Sequence, residues 1–197
     1  MDASPIGMLE RGLAAVGDLL AAEGVEIGIV VVGGTALNLL GIVQRTTNDV
    51  DVLAILQRRD DSGEVTLAQP DPLPEPLRRA IVRVARDFQL LENWMNTVVG
   101  LQWQTGLPAG LERRLHWVRY GGLRVGLVAR YDLIFLKLYA AADSGGPSSV
   151  HFQDLLALRP NERELQAAVA WAREQDPTPE FSTIVEQVMT HARERLG

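Results

Sequence analysis

The spacing of apolar residues changes period several times along the chain. Leu9, Leu13, Val16, Leu19 and Leu20 fall at helical spacing and predict an amphipathic helix over 8–22, stopped by Gly24. The unbroken apolar run at 27–32 predicts a buried strand. Gly33-Gly34 then marks a tight turn, 35–40 a short helix against the sheet, and 48–56 a second strand. Strand side chains alternate faces, so Asp49 and Asp51 share one face while Val50 and Val52 point to the core.

Past this unit the pattern loosens. Residues 57–76 carry five charged residues within 58–64 and four prolines from Pro70 onward, which reads as a surface loop beside the acidic pair. Leu77, Ile81, Val84, Phe88 and Leu91 predict a helix over 77–91. Arg78, Arg79, Arg83 and Arg86 fill much of its remainder, either as a solvated face or as one that steers a polyanion. Residues 94–110 resist assignment beyond a turn at 107–110. Apolar runs at 115–120 and 123–128 around Gly121-Gly122 predict a hairpin.

From Tyr131 the pattern is helical. Residues 131–142 are apolar nearly all round, interrupted by Lys137; 151–158 carry Asp154 and end before Pro160. Leu165, Ala168, Val169 and Ala172 mark a further helix. The last starts at the Thr178-Pro179 cap pair and buries Phe181, Ile184, Val185, Val188, Met189 and Ala192. Strands first and helices after predict an α+β fold with a C-terminal helical segment, divided into 1–130 and 131–197.

Composition narrows the classes. A chain of 197 residues with 47% apolar content is globular, and its net charge of −6 argues against broad nonspecific nucleic-acid binding while leaving room for a local basic groove. With no cysteine there are no disulfides and no thiolate-held metals, and His116, His151 and His191 do not form a zinc spacing. No charge-free apolar run is long enough for a bilayer, and the first residues lack a signal-peptide pattern, so the expected compartment is the cytoplasm and no membrane partner is expected.

Two carboxylates about 7 Å apart along a strand repel unless a cation sits between them. Mg²⁺ is the natural choice, since it takes one or two carboxylates and the oxygens of a phosphate chain. Gly33 and Gly34 let the backbone approach a ligand, so phosphate and metal together suggest nucleotide chemistry. A lone D-x-D also occurs in surface loops, calcium sites and nucleotide-sugar glycosyltransferases. A dinucleotide-binding start would need G-x-G-x-x-G and a second mononucleotide half, which this chain lacks. Lys137 is the chain's single lysine against 18 arginines. In an apolar helix it must pair with Asp132 or Asp154, snorkel to the surface, or serve as a phosphate ligand.

The string GGTALNLLGIVQRTTNDVDVL resembles the first motif of the minimal nucleotidyltransferases of the polymerase-beta type, and is most similar to the abortive-infection (AbiEii-type) toxin branch. Arg45, Thr47, Asp49 and Asp51 match its R-x-T-x-D and D-x-D pattern. DLIFLKLYAAAD with HFQDLLAL resembles a second motif at Lys137 and Asp154. Trp94, Asn96, Leu107-Pro108 and 111–114 resemble a group of small nucleotidyltransferase-like proteins, so that the likeness spans about 25–160.

The resemblance implies a nucleotidyltransferase-like mixed sheet with flanking helices, and a helical segment that completes the site. Asp49 and Asp51 would hold Mg²⁺, Gly33, Gly34, Thr35 and Arg45 would contact the nucleotide, Lys137 would clamp the triphosphate, and Asp154 would act as a base or orient the lysine. The implied reaction is transfer of NMP from an NTP to an RNA hydroxyl, such as a tRNA 3′ end, or to a protein hydroxyl, in a toxin–antitoxin setting with a cognate partner. The alternative is a nucleotide- or partner-binding protein of the same fold without turnover. It is motivated by a departure: the family usually carries a third carboxylate on a later strand, and neither 116–120 nor 123–128 has one.

Overall fold

The computed structural model describes residues 5–58 and 65–197. In chain order the elements are α1 (Pro5–Ala22), β1 (Ile27–Val32), α2 (Gly33–Leu39), β2 (Val50–Arg58), β3 (Val65–Ala68), α3 (Glu75–Phe88), β4 (Met95–Asn96), α4 (Gln102–Thr105), β5 (His116–Tyr120), β6 (Leu123–Leu127), α5 (Arg130–Asp143), α6 (Val150–Ala157), α7 (Glu162–Gln175) and α8 (Pro179–Leu196). Contacts divide the chain into two compact units, Met1–Trp103 with Glu112–Val128, and Gln104–Leu111 with Ala129–Gly197.

The first unit is built on a mixed sheet in the order β3-β2-β1-β6-β5, with β4 also beside β2. β1 pairs antiparallel with β2 and parallel with β6, and β4 runs parallel to β2. On one face Ile29, Val31, Val50, Val52, Leu123 and Val125 meet Leu9, Leu13, Val16 and Leu20 of α1 and Leu77, Ile81 and Val84 of α3. Burial of these side chains is the main driving term for the unit. The helix α1 ends where Val25 donates its N–H back to the Leu20 carbonyl at 2.9 Å, the wrap that a glycine at position 24 permits.

Several boundaries differ from the sequence pattern. β3 lies inside the stretch that reads as loop: four residues of antiparallel pairing to β2, flanked by charge and proline. The charged cluster at 59–64 lies outside the described residues. α3 stops at Phe88 because Gln89 takes a left-handed φ of 54°, which leaves Leu91 62% exposed and off the apolar face. β2 begins at Val50, so Asp49 precedes the strand. The unassigned stretch contains fully buried Trp94, whose indole N–H donates to the Ile81 carbonyl at 3.3 Å, and the short β4 that follows it.

The second unit is helical. Tyr131, Phe135 and Tyr139 recur every fourth residue on α5. Phe135 and Tyr139 meet Trp171 of α7 at centroid distances of 5.9 and 6.0 Å, and Tyr139 meets Phe181 of α8 at 5.0 Å. Asn161 and Glu164 form a reciprocal capping box at the start of α7. At α8 the Thr178 hydroxyl accepts the Phe181 N–H at 3.4 Å. Among the described residues no helix is long and apolar enough to cross a membrane.

Candidate functional site

The first cluster forms where β1 meets α2. Val32, the last residue of β1, is in register with Asp51 near the start of β2. The next residue, Gly33, turns the chain with φ +72°, and a Cβ placed there would collide with Asp51 Oδ2. The Asp51 carboxylate therefore packs directly on the glycine turn. At Gly34 a Cβ would stand 3.0 Å from Thr47 Oγ1 and 3.4 Å from Arg45 Nη2, so the segment leading into β2 folds over the second glycine.

That segment is tied to α2 by side chains. The Thr35 hydroxyl, 3% exposed, donates to the Asp49 carbonyl at 2.6 Å. The Asn38 amide donates to the Arg45 carbonyl at 2.9 Å, and its own oxygen accepts the Arg45 N–H at 3.3 Å. The Thr47 hydroxyl lies 3.3 Å from Asp49 Oδ1 and 3.4 Å from the Asp49 carbonyl. Gly33, Gly34, Thr35, Arg45, Asp49 and Asp51 are thus assembled in one unit, with half-buried Asp49 and Asp51 alternating with the fully buried Val50 and Val52.

Two contacts on β2 were not legible in the pattern. Asp51 is in register with Asn96 of β4, and the Asn96 amide donates to Asp51 Oδ1 at 3.3 Å. The β1–β2 register shifts between Val30 and Val31, leaving Leu53 out of the pairing with β1, and the Trp103 indole N–H donates to the Leu53 carbonyl at 2.7 Å. The bulge bends β2 two residues from Asp51. Asn38 is likewise a polar residue inside a helix, which is unfavourable unless its amide is used.

Among the described residues no group of three or more His, Asp or Glu side chains is placed to hold a metal ion. The two half-buried carboxylates fit a cation that takes one or two protein oxygens and fills its sphere with phosphate oxygens and water, as Mg²⁺ does. They do not fit an all-protein cage of the calcium type. Asp51 lies between β1 and β4, not beside β5 or β6, and β4 presents an asparagine there.

The second cluster lies in the helical unit. Lys137 on α5 and Asp154 on α6 are 6% and 2% exposed, and Lys137 Nζ stands 2.8 Å from Asp154 Oδ2. Of the ways this lysine could be accommodated, snorkelling is excluded by its burial; it is paired with Asp154. His151, one helical turn before Asp154, brings Nδ1 to 3.5 Å from Lys137 Nζ. Asp132 is fully buried in α5. An ion pair this deeply desolvated survives only with close geometry, and loss of either partner strands the other.

The arginines of α3 are paired with neighbouring carboxylates. Arg78 and Arg79 pair with Glu75, Arg79 also with Glu23 at 2.8 Å, and Arg83 and Arg86 with Asp87 at 3.6 and 3.1 Å. These exposed pairs describe a solvated face.

Comparison with known proteins adds one match. The model of a family described as "Nucleotidyltransferase of unknown function (DUF6036)" matches residues 13–147. Neither the curated proteins nor the solved structures give a match. The matched stretch takes in the glycine turn, Asp49, Asp51, Asn96 and Lys137, and it exceeds half of the chain, which therefore belongs to this family of nucleotidyltransferases of unknown function.

Proposed function

We propose that the protein transfers NMP from an NTP to a hydroxyl of an RNA, such as a tRNA 3′ end, or of a protein, with Mg²⁺ held by Asp49 and Asp51. The observation that carries this reading is the seating of the Asp51 carboxylate on the Gly33 turn, with Asp49 fastened beside it by Thr35 and Thr47. A backbone stripped of Cβ atoms next to two carboxylates is suited to a phosphate chain and its counter-ion.

In this reading the acceptor oxygen attacks the α-phosphorus, the new O–P bond forms in line with the breaking bond to the β-phosphate oxygen, and pyrophosphate leaves. Bound Mg²⁺ would supply charge neutralisation at the phosphates. Gly33, Gly34 and Thr35 would orient the phosphates through their backbone, and Arg45 would add positive charge beside them. The resemblance would give Lys137, whose ammonium is a compact phosphate ligand, to the triphosphate, and Asp154 to holding the lysine or accepting the hydroxyl proton. Positioning and fixed charge would carry most of the rate.

The test is transfer of label from α-labelled NTPs to tRNA or to protein in a lysate. The reading expects transfer by the wild type and none by Asp51→Ala; equal behaviour of the two with all four NTPs overturns it. The likeness to the toxin branch further supports a toxin–antitoxin role, which a cognate gene beside this one would favour.

A second reading has its own observation. Among the described residues no third carboxylate joins Asp49 and Asp51, and the β4 residue in register with Asp51 is an asparagine. A fold-retaining protein that binds nucleotide without turnover is consistent with that. Tight calorimetric binding of Mg-NTP without pyrophosphate release would favour it.

A further inference from the structure

We infer that Asn96 is a positioning residue of the acidic site, whose amide orients Asp51 and limits the Asp49–Asp51 pair to a single divalent cation. The inference rests on the metal reading given above and assigns a role to a residue on another strand.

Three observations support it. First, β4 runs parallel to β2 with Asp51 and Asn96 in register, so the two side chains rise from the same face of the sheet. The backbone pairing is anchored next door, where the Val50 N–H donates to the Trp94 carbonyl at 2.6 Å and Trp94 itself is fully buried. Second, the orientation of the amide is determined by its surroundings. Asn96 Oδ1 accepts the Val98 N–H at 3.1 Å, and a backbone N–H can only donate, so the oxygen must face Val98. That leaves Nδ2, a donor, facing Asp51 Oδ1 at 3.3 Å. Third, the other oxygen of the same carboxylate abuts the Gly33 turn. Asp51 is therefore held at one oxygen by an amide while the second packs against Gly33.

The chemical identity of Asn96 matters because of its charge. A carboxylate in its place would face Asp51 within hydrogen-bond reach and add the negative charge that gathers a further cation. The amide does not. It donates to Asp51 and adds no negative charge, so the local charge suits one divalent ion and the phosphates it carries.

A merely structural asparagine would close the turn into Val98 and leave metal affinity alone. The two roles separate when Mn²⁺ is used as the probe on the full chain, with free Mn²⁺ read by electron paramagnetic resonance in the presence of a non-hydrolysable NTP. The wild type is expected to bind about one Mn²⁺ per chain. Asn96→Ala is expected to weaken that binding about tenfold, the usual scale for removing a group that orients a metal ligand. Asn96→Asp, nearly isosteric and so safe for the fold, is expected to take up a second Mn²⁺. The magnesium concentration giving half-maximal transfer should rise in Asn96→Ala while KM for NTP moves less.

Wild-type Mn²⁺ affinity in Asn96→Ala, or unchanged stoichiometry in Asn96→Asp, overturns the inference and leaves the metal reading standing. A wild type that binds no more Mn²⁺ than Asp51→Ala overturns the metal reading, and this inference with it.

Discussion

A side chain on Gly33 would occupy the space that the Asp51 carboxylate fills. Gly33 is also held at φ +72°, so two separate penalties meet at one position. Gly24 has nearly the same φ, +69°, but a methyl added there would meet nothing within 4 Å. The pair makes an internally controlled experiment. Both Gly33→Ala and Gly24→Ala should lose about 1–2 kcal/mol from left-handed strain, read as a lower melting temperature. Only Gly33→Ala should also displace Asp51 and abolish label transfer from NTP. Equal activity of the two variants would detach the glycine turn from the chemistry.

Thr35 contributes through a single hydroxyl. It donates to the Asp49 carbonyl at 2.6 Å from a position with almost no water access. Thr35→Val keeps shape and removes the donor, and should cost about 1 kcal/mol in chemical denaturation. Thr35→Ser restores the donor and should recover most of the transfer rate that Thr35→Val loses. Parallel losses in both variants would point to the methyl group and packing instead.

The strand–turn–helix–strand unit was legible because its period changes sharply, from the apolar run of β1 through two glycines to the alternating β2. The caps at Thr178 and before Pro160 were legible for the same local reason. What local pattern could not show was partnership between distant strands. The resemblance implies a third carboxylate on a later strand, and 116–120 and 123–128 have none; β6 pairs with β1, and on its other side Asp51 meets a two-residue strand carrying Asn96. A strand that short has no period to detect. β3 was hidden likewise, four residues between a charged stretch and prolines. Burial of Lys137 beside Asp154 was one of several options until tertiary packing selected it.

In the helical unit, hydrogen bonding from Arg130 holds the Glu164 carboxyl below its ordinary value, with the Asn161 N–H adding to the effect against the opposing influence of burial. A carboxyl depressed in the folded state stabilises above its unfolded pKa, and that stability is lost as pH falls through the folded value. Glu164→Gln keeps an acceptor for the α7 cap and removes the charge. It should destabilise by about 1 kcal/mol at neutral pH, the scale of a partly solvated ion pair. The difference from wild type should shrink towards zero in acid, once the wild-type carboxyl is itself protonated. Urea denaturation at a series of pH values reads it directly; a constant difference would show that the carboxylate's charge is not what Arg130 recognises.

Lys137 and Asp154 allow stability and function to be separated. With both side chains nearly closed to water and 2.8 Å between Nζ and Oδ2, removing one partner leaves an uncompensated buried charge. Lys137→Met alone should destabilise by about 3–5 kcal/mol, and Asp154→Leu alone by a similar amount. The double variant replaces a desolvated ion pair with apolar volume and should return to near wild-type stability. If the pair serves only the fold, the double variant also regains label transfer from NTP. If the ammonium contacts phosphate, the double variant is as stable as wild type and inactive. The proposed function expects the second outcome, and a stable, fully active double variant would remove Lys137 and Asp154 from the site.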